Sequence, residues 1–278
     1  MIWLNGRLVT RDQAHIDPAD RGFLLADGLF ETLRAYRGHL FKMEEHLARL
    51  SNSAAELGIP MPLDPPAIAG AAAETLAANE LDGGDAALRI TLTRGPGQRG
   101  LLPPEDPLPN LLITAVPYQP APPADGLIAL TATQVARNES SITSRLKTLS
   151  YLDNILALQQ AAAAGCDEAL LLNNKGRVAC GARSNLFAMA DGRLLTPAIG
   201  EGALPGITRQ SVLALCVELE IPLEEAEVTR EVLREASEVF VTNSLMEISP
   251  VRRLDEKELP IGPVTKRLMD AYAATTPR

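Results

Sequence analysis

Between Pro117 and Pro123 the chain reads Pro117-Tyr118-Gln119-Pro120-Ala121-Pro122-Pro123, with four prolines in seven residues. A proline ring fixes φ and removes the backbone donor, so this stretch can extend neither a helix nor a β-ladder. It divides the 278 residues into two halves, each of which must bury its own core. The predicted organisation is a smaller N-terminal α/β domain (1–117), an interdomain linker (118–123) and a larger C-terminal domain (124–278). A scale of roughly 150 residues per domain agrees with one large or two modest domains.

Each half has its own pattern. Ile2-Trp3-Leu4, Asn5-Gly6 and Leu8-Val9 read as a hairpin, because Asn-Gly accepts positive φ at both turn positions. From Met43, apolar residues recur at Leu47, Leu50, Ala54 and Leu57, the spacing of an amphipathic helix that stops at Gly58 before Pro60. A second helix is expected over Pro66 to Asn79, and strands over Ala86 to Thr93 and Leu111 to Val116. The loop between these strands is Gly/Pro-rich and carries Arg99. In the second half a helix over Tyr151 to Ala164 closes at Gly165. Ala169–Leu172 with Arg177–Cys180, and Asn185–Met189 with Arg193–Leu195, read as hairpins. A helix covers Thr208 to Leu219, and Val239-Phe240-Val241 is a buried strand ending in Thr242-Asn243-Ser244. The class is α+β, two domains meeting at a cleft.

Composition removes several functions. Apolar residues make up 46% and charged residues 22%, the balance of a soluble globular protein. A net charge of −9 opposes nucleic-acid binding, which needs a basic face. No apolar run approaches the ~18–20 residues of a membrane helix. Met1-Ile2-Trp3-Leu4 lacks the layout of a signal peptide, so a cytoplasmic protein is expected. Cys166, Cys180 and Cys216 form no C-x-x-C spacing, and His15, His39 and His46 form no H-E-x-x-H, so no protein-ligated metal is expected. No G-x-S-x-G turn accompanies those histidines.

Five features carry chemistry. Leu204-Pro205-Gly206-Ile207-Thr208-Arg209 leads into a helix whose N–H groups, dipole and Thr hydroxyl suit a phosphate. Taken alone, Thr208 reads more readily as a plain N-cap. Thr242-Asn243-Ser244 offers further donors, or an ordinary strand-end turn. Arg49 could meet a phosphate through charge-assisted bonds, or flank the helix stripe in solvent. Lys147 could form a Schiff base if its ammonium is desolvated, although most lysines are surface charges. Arg99 could bind a carboxylate bidentately, or remain a solvated loop charge.

In order and context these features resemble the fold-type IV family of pyridoxal-5′-phosphate (PLP) enzymes. That family includes branched-chain and D-amino-acid aminotransferases and 4-amino-4-deoxychorismate lyases. The resemblance runs through Asp20–Thr32, His46–Leu50, Thr93-Arg94-Gly95, Lys147–Leu152, Ser184–Phe187, Thr196-Pro197, Leu204–Arg209 and Val241–Ser244. It implies an α+β two-domain fold with the cofactor at the domain interface, and a homodimer. Lys147 would be the Schiff-base lysine and proton shuttle. Arg49, Ile207, Thr208, Asn243 and Ser244 would hold the PLP phosphate, and Phe30, Arg34 and Arg99 would face the substrate. Where the family has a glutamate against the pyridine nitrogen, this chain has Cys180, which brings no charge if neutral. Either the electron sink is weaker, the reaction is altered, or another carboxylate takes the role. The implied reaction is amino-group transfer between an amino acid or amine and a 2-oxo acid. The alternatives are a lyase releasing pyruvate and 4-aminobenzoate, and a PLP-binding protein with little catalysis. Arg99-Gly100, Arg34 and Asn243-Ser244-Leu245-Met246 lean towards the lyase. Phe30 and Leu101 replace the Tyr and His of the D-amino-acid enzymes.

Overall fold

A computed structural model describes residues 1–119, 123 and 125–277. Of the expected linker 118–123, Pro120, Ala121 and Pro122 lie outside the described residues, as do Ala124 and Arg278 within 124–278. The chain divides into two compact units. One comprises Met1–Gln119 with Leu146–Ser150 and the described end of the chain from Thr276. The other comprises the described residues from 123 to Arg145 together with Tyr151–Thr275.

The first unit contains β1 (Ile2–Leu4), β2 (Arg7–Val9), α1 (Arg21–Leu25), β3 (Gly28–Tyr36), β4 (His39–Leu40), α2 (Met43–Leu57), α3 (Pro65–Ala77), β5 (Ala86–Thr93) and β6 (Asn110–Pro117). Its strands form one antiparallel sheet in the order β2-β1-β6-β5-β3-β4. The first hairpin forms as its sequence predicts, with φ of 48° at Asn5 and 94° at Gly6. Strand β5 alternates strictly. Ala86, Leu88, Ile90 and Leu92 are buried against α2 and α3, while Ala87, Arg89, Thr91 and Thr93 point to the other face. Helix α2 ends at Gly58, which takes φ 63° and donates its N–H to Ala54 and Ala55 carbonyls. Asp64 caps α3, accepting from Ala67 N, and prolines fill the first positions of that helix. No strand was expected over β3, because it is buried on both faces and such a strand loses its period-two signature.

The second unit contains β7 (Leu127–Thr131), α4 (Leu152–Ala163), β8 (Glu168–Leu172), β9 (Val178–Gly181), β10 (Asn185–Ala190), β11 (Arg193–Pro197), α5 (Ile207–Glu218), β12 (Leu223–Ala226), α6 (Arg230–Glu235), β13 (Glu238–Asn243), β14 (Glu247–Leu254), β15 (Lys257–Glu258) and α7 (Pro263–Thr275). The sheet order is β12-β11-β10-β13-β14-β7-β8-β9, with β15 on β14. Pairing is parallel at β11–β12, β14–β7 and β7–β8 and antiparallel elsewhere. Strand β9 also lies near β10, so the sheet curls back on itself. At its centre Phe187 and Phe240, direct cross-strand partners, stack with centroids 4.9 Å apart. One expectation is overturned: Gly206 is the N-cap of α5, so Thr208 stands inside the helix and does not cap it.

Leu88 is fully buried in the first unit's core, so Leu88→Ala should cost about 2–5 kcal/mol in urea unfolding through the cavity it leaves. Thr114→Ala, on the opposite sheet face, should stay within about 0.5 kcal/mol.

Candidate active site

In the first unit, two backbone hydrogen bonds tie the segment around Lys147 to the edge of β3 that its short partner β4 leaves unpaired. Phe30 N donates to Lys147 O and Leu149 N to Gly28 O, both at 2.9 Å, with Leu29 and Thr148 as bridge partners. This register puts Lys147 and Phe30 on the same face. The Lys147 ammonium lies 4.3 Å from the Phe30 ring centroid, and the Arg89 guanidinium packs on the same ring at 3.8 Å. Phe30 is buried, Lys147 half-buried and Arg89 exposed. Two cations on one ring raise the local positive potential where an anionic substrate group could bind. Arg89 went unnoticed in the sequence because a single arginine in an alternating strand carries no local signal.

The opposite side of β3 faces α2. Glu31, 1% exposed, accepts from Arg49 Nε at 2.8 Å and Nη2 at 2.6 Å, and from His46 Nδ1 at 2.7 Å. Burial opposes ionisation of Glu31, but the Arg49 charge and hydrogen bonds, with the His46 bond, outweigh it and hold the carboxyl at about 2. Burial pushes His46 below its ordinary 6.5, although Glu31 pulls the other way. Arg49 is thus a clamped residue and not the solvated flank that was its alternative.

Arg34 and Arg99 do not join this group. Arg34 lies four residues along β3 from Phe30, about 13 Å at strand spacing. It pairs with Asp85 at 2.8 Å and packs 4.3 Å from the Tyr36 ring. Arg99 is exposed in the loop before Gly100, where the Arg21 side chain donates to the carbonyls of Gly100, Leu101 and Leu102.

In the second unit Asn185 gathers the residues proposed for a phosphate. Its amide donates to Leu204 O at 2.8 Å, ahead of α5, and its direct partner on β13 is Thr242. A Cβ at Gly206 would collide with Asn185 Oδ1, so a larger residue there would have to displace the Asn185 side chain. Helix α5 starts without a side-chain cap, its first N–H groups lacking carbonyl partners within the helix. Next to it the Thr242 hydroxyl is buried and, among the described residues, has no hydrogen-bond partner. A buried orphan hydroxyl and an uncapped twelve-residue helix are what an anionic group such as a phosphate would complete. Thr242 was inside the polar triplet singled out from sequence but was passed over for its neighbours. Asn243 is committed to a turn: its Oδ1 accepts from Leu245 N and Met246 N, and its amide donates to Arg183 O. Ser244 follows on the same turn, half-buried.

Cys180 is buried in a cluster with Ala132, Ala157, Ala161, Ala169, Leu171, Ala179 and Ala182. Burial raises its thiol to about 11, against the lowering influence of Arg137, so the side chain is neutral at physiological pH. The neighbouring Glu168 is also buried, and burial raises it too. Its oxygens accept from Ala169 N, Ala182 N and the Ser184 hydroxyl, which fixes the turn after β9. Among the described residues, no group of three or more His, Cys, Asp or Glu could hold a metal, and no helix is long and apolar enough to cross a membrane.

The pKa values of Glu31 and His46 are both lowered by folding, so each contributes stability that is present above its unfolded value and lost as pH falls. The urea midpoint should decline first below 6.5, where unfolded His46 takes up a proton that the buried ring resists. It should decline again between 4.5 and about 2, through Glu31. In a series of unfolding curves against pH, His46→Asn should lose the first decline and keep the second. An unchanged first decline would assign it to another group.

Comparison with known proteins agrees with this geometry. The family model "Amino-transferase class IV" matches residues 28–254. A Methanocaldococcus jannaschii protein provisionally named a branched-chain-amino-acid aminotransferase is 37% identical over 98% of this chain and 94% of its own length. D-alanine aminotransferases are also among the relatives. The Escherichia coli branched-chain amino acid aminotransferase superposes with a TM-score of 0.91 at 30% identity, over 99% of this chain and 93% of that one. Another branched-chain amino acid aminotransferase, solved with pyridoxamine 5′-phosphate, gives 0.90 at 30% identity over 98% of this chain and 92% of that one. The 4-amino-4-deoxychorismate lyase of Pseudomonas aeruginosa gives 0.88 at 33% identity over 99% of both chains. The curled sheet, the lysine on the β3 edge and a family match that spans both units lead to one conclusion: the chain belongs to the class IV aminotransferases.

Proposed function

We propose that this chain is a PLP-dependent aminotransferase that moves an amino group between an amino acid or amine and a 2-oxo acid, working as a cytoplasmic homodimer. The observation that carries the reading is the unsatisfied anion site of the second unit: an uncapped α5 N-terminus beside the orphaned Thr242 hydroxyl. PLP, when bound, supplies an aldehyde for the amine and a conjugated ring that takes up electron density from Cα. Lys147 Nζ would be the amine that holds the cofactor's aldehyde and, when released by substrate, the base that takes up and hands on the substrate Cα proton. In the second unit the N–H groups of Ile207 and Thr208, with the Thr242 hydroxyl, would hold the phosphate, and the family resemblance gives Arg49 the same role. Asn243 shapes the turn that carries Ser244, and its side chain is not itself a ligand. Arg89 meets the substrate carboxylate, with Phe30 as the ring on which both cations rest. The reading leaves Arg34 to hold Asp85 and Arg99 to the loop rim.

A second reading, the 4-amino-4-deoxychorismate lyase, is supported by the likeness to the Pseudomonas aeruginosa enzyme over nearly the whole of both chains. The two separate on products. Incubation with amino acids and 2-oxo acids yields exchanged keto acids from a transaminase. Incubation with 4-amino-4-deoxychorismate yields pyruvate and 4-aminobenzoate from a lyase.

Lys147→Ala should abolish turnover and the borohydride-trapped PLP adduct. An adduct surviving on another lysine, located by peptide mass, would move the site.

Because the Cys180 thiol is neutral and buried, it supplies no charge to a pyridine nitrogen. Cys180→Ala should therefore keep turnover within about threefold, for a small cavity cost of order 1 kcal/mol. Cys180→Glu should lower Tm, because the cluster around it is alanine-rich and apolar and Glu168 adds a second buried acid beside it, which the nearby Arg137 charge offsets only in part. A loss of turnover beyond about a hundredfold in well-folded Cys180→Ala would give the thiol a direct role, and Cys180→Glu that folds well and works faster would give the position back to a carboxylate.

A further inference from the structure

Arg49 is held from behind by two residues that the proposed function does not use. Glu31 comes from β3, and His46 and Arg49 stand three residues apart on α2, so all three meet at one helix–strand contact. The carboxylate takes the Nε and Nη2 edge of Arg49 as a fork, at 2.8 and 2.6 Å, which sets the plane of the guanidinium and the direction in which its remaining N–H groups point. His46 Nδ1 donates to Glu31 Oε2 at 2.7 Å and fixes the carboxylate in turn.

Packing alone does not call for this trio. A buried ion pair contributes weakly to stability once desolvation is counted, and apolar residues of the same volume would join α2 to β3 at least as well. The charged groups around His46 come from every side: Glu31 on β3, Arg49 and Glu45 on its own helix, and Lys147 on the segment paired to β3. With burial and both cations opposing its protonation, the ring stays neutral and serves Glu31 as a donor.

We propose that Glu31 and His46 are positioning residues for the cofactor's phosphate, acting through Arg49: Glu31 aims the guanidinium and His46 holds Glu31 in the aiming rotamer. This rests on the reading of Arg49 as a phosphate ligand. It predicts that their removal weakens recognition of the phosphate group and leaves recognition of the pyridine ring alone.

The test is a titration of the full chain, freed of cofactor, with PLP and with pyridoxal, which lacks the phosphate, followed by visible absorbance. Arg49→Ala should raise the Kd for PLP about tenfold or more, the loss of a charge-assisted partner, and change that for pyridoxal less than twofold. Glu31→Gln, which keeps the shape and removes the charge, should raise the PLP Kd about tenfold with pyridoxal unchanged. In the Glu31→Gln/Arg49→Ala double variant the loss should not exceed that of Arg49→Ala alone, because Glu31 acts only through Arg49. His46→Ala should lose several-fold, and His46→Asn, with an amide donor near the Nδ1 position, should recover most of it. If Glu31→Gln folds poorly, the same cycle is run with His46→Ala and Arg49→Ala. Losses that add fully in the cycle, or that fall equally on PLP and pyridoxal, would make the trio a packing device and overturn the inference. An unchanged PLP Kd in Arg49→Ala would instead remove the phosphate reading of Arg49 itself.

Discussion

Two hydrogen bonds on the edge of β3, Phe30 N to Lys147 O and Leu149 N to Gly28 O, decide where Lys147 stands in the first unit. They bring the Lys147 segment, far along the chain, onto a strand of the first unit and set its register. A slip of one residue would turn the lysine to the opposite face, away from Phe30 and Arg89. The opposite edge of β3 pairs along its full length with β5, so the strand that receives Lys147 is itself held rigidly. A site built on paired strands keeps its side chains in place better than one built on loops alone.

Buried acids are the second organising device. Asp20 accepts from Gly22 N and Phe23 N at the start of α1 and also from Thr93 and Asn110, joining that turn to β5 and β6. Glu168 holds the turn after β9. Glu238, on β13, accepts from Val264 N and Thr265 N and so caps α7 from a neighbouring strand. Each is a carboxyl group taken out of water and met by two or more donors, the condition under which buried polar groups persist. Glu31 differs in the nature of its partners. Its acceptors go to a guanidinium and an imidazole and not to backbone, so what it orders is side-chain direction.

Elements with local signals were readable from sequence, to within a residue or two at their ends. The Asn5-Gly6 hairpin, α2 with its Gly58 stop, β5 with its alternation and the hairpin around Asp191-Gly192 all follow from turn chemistry and periodicity. Those without such signals were missed. Strand β3 is buried on both faces, and β14 carries Pro250 and is therefore hard to read as a strand. For the proposed site, Lys147 and Arg49 were singled out by their chemistry and by the resemblance of their motifs to a family, and Ile207 and Thr208 by the chemistry of a helix start. Arg89, Glu31, His46 and Thr242 were not assigned, because what marks each of them is a partner, or an absent partner, on another element.

The sequence by itself determined the class of protein. Motif order, alternation and turn residues are local properties, written in neighbouring side chains, and they specify an α+β chain of the class IV family. Tertiary structure decided the rest. Burial made Cys180 neutral, pairing across strands put Lys147 and Arg89 on one ring, and α5 begins at Ile207 with Gly206 as its cap in place of Thr208. Each of these depends on which groups are removed from water and what then remains within hydrogen-bond reach. That is settled only when residues far apart in the chain are packed together.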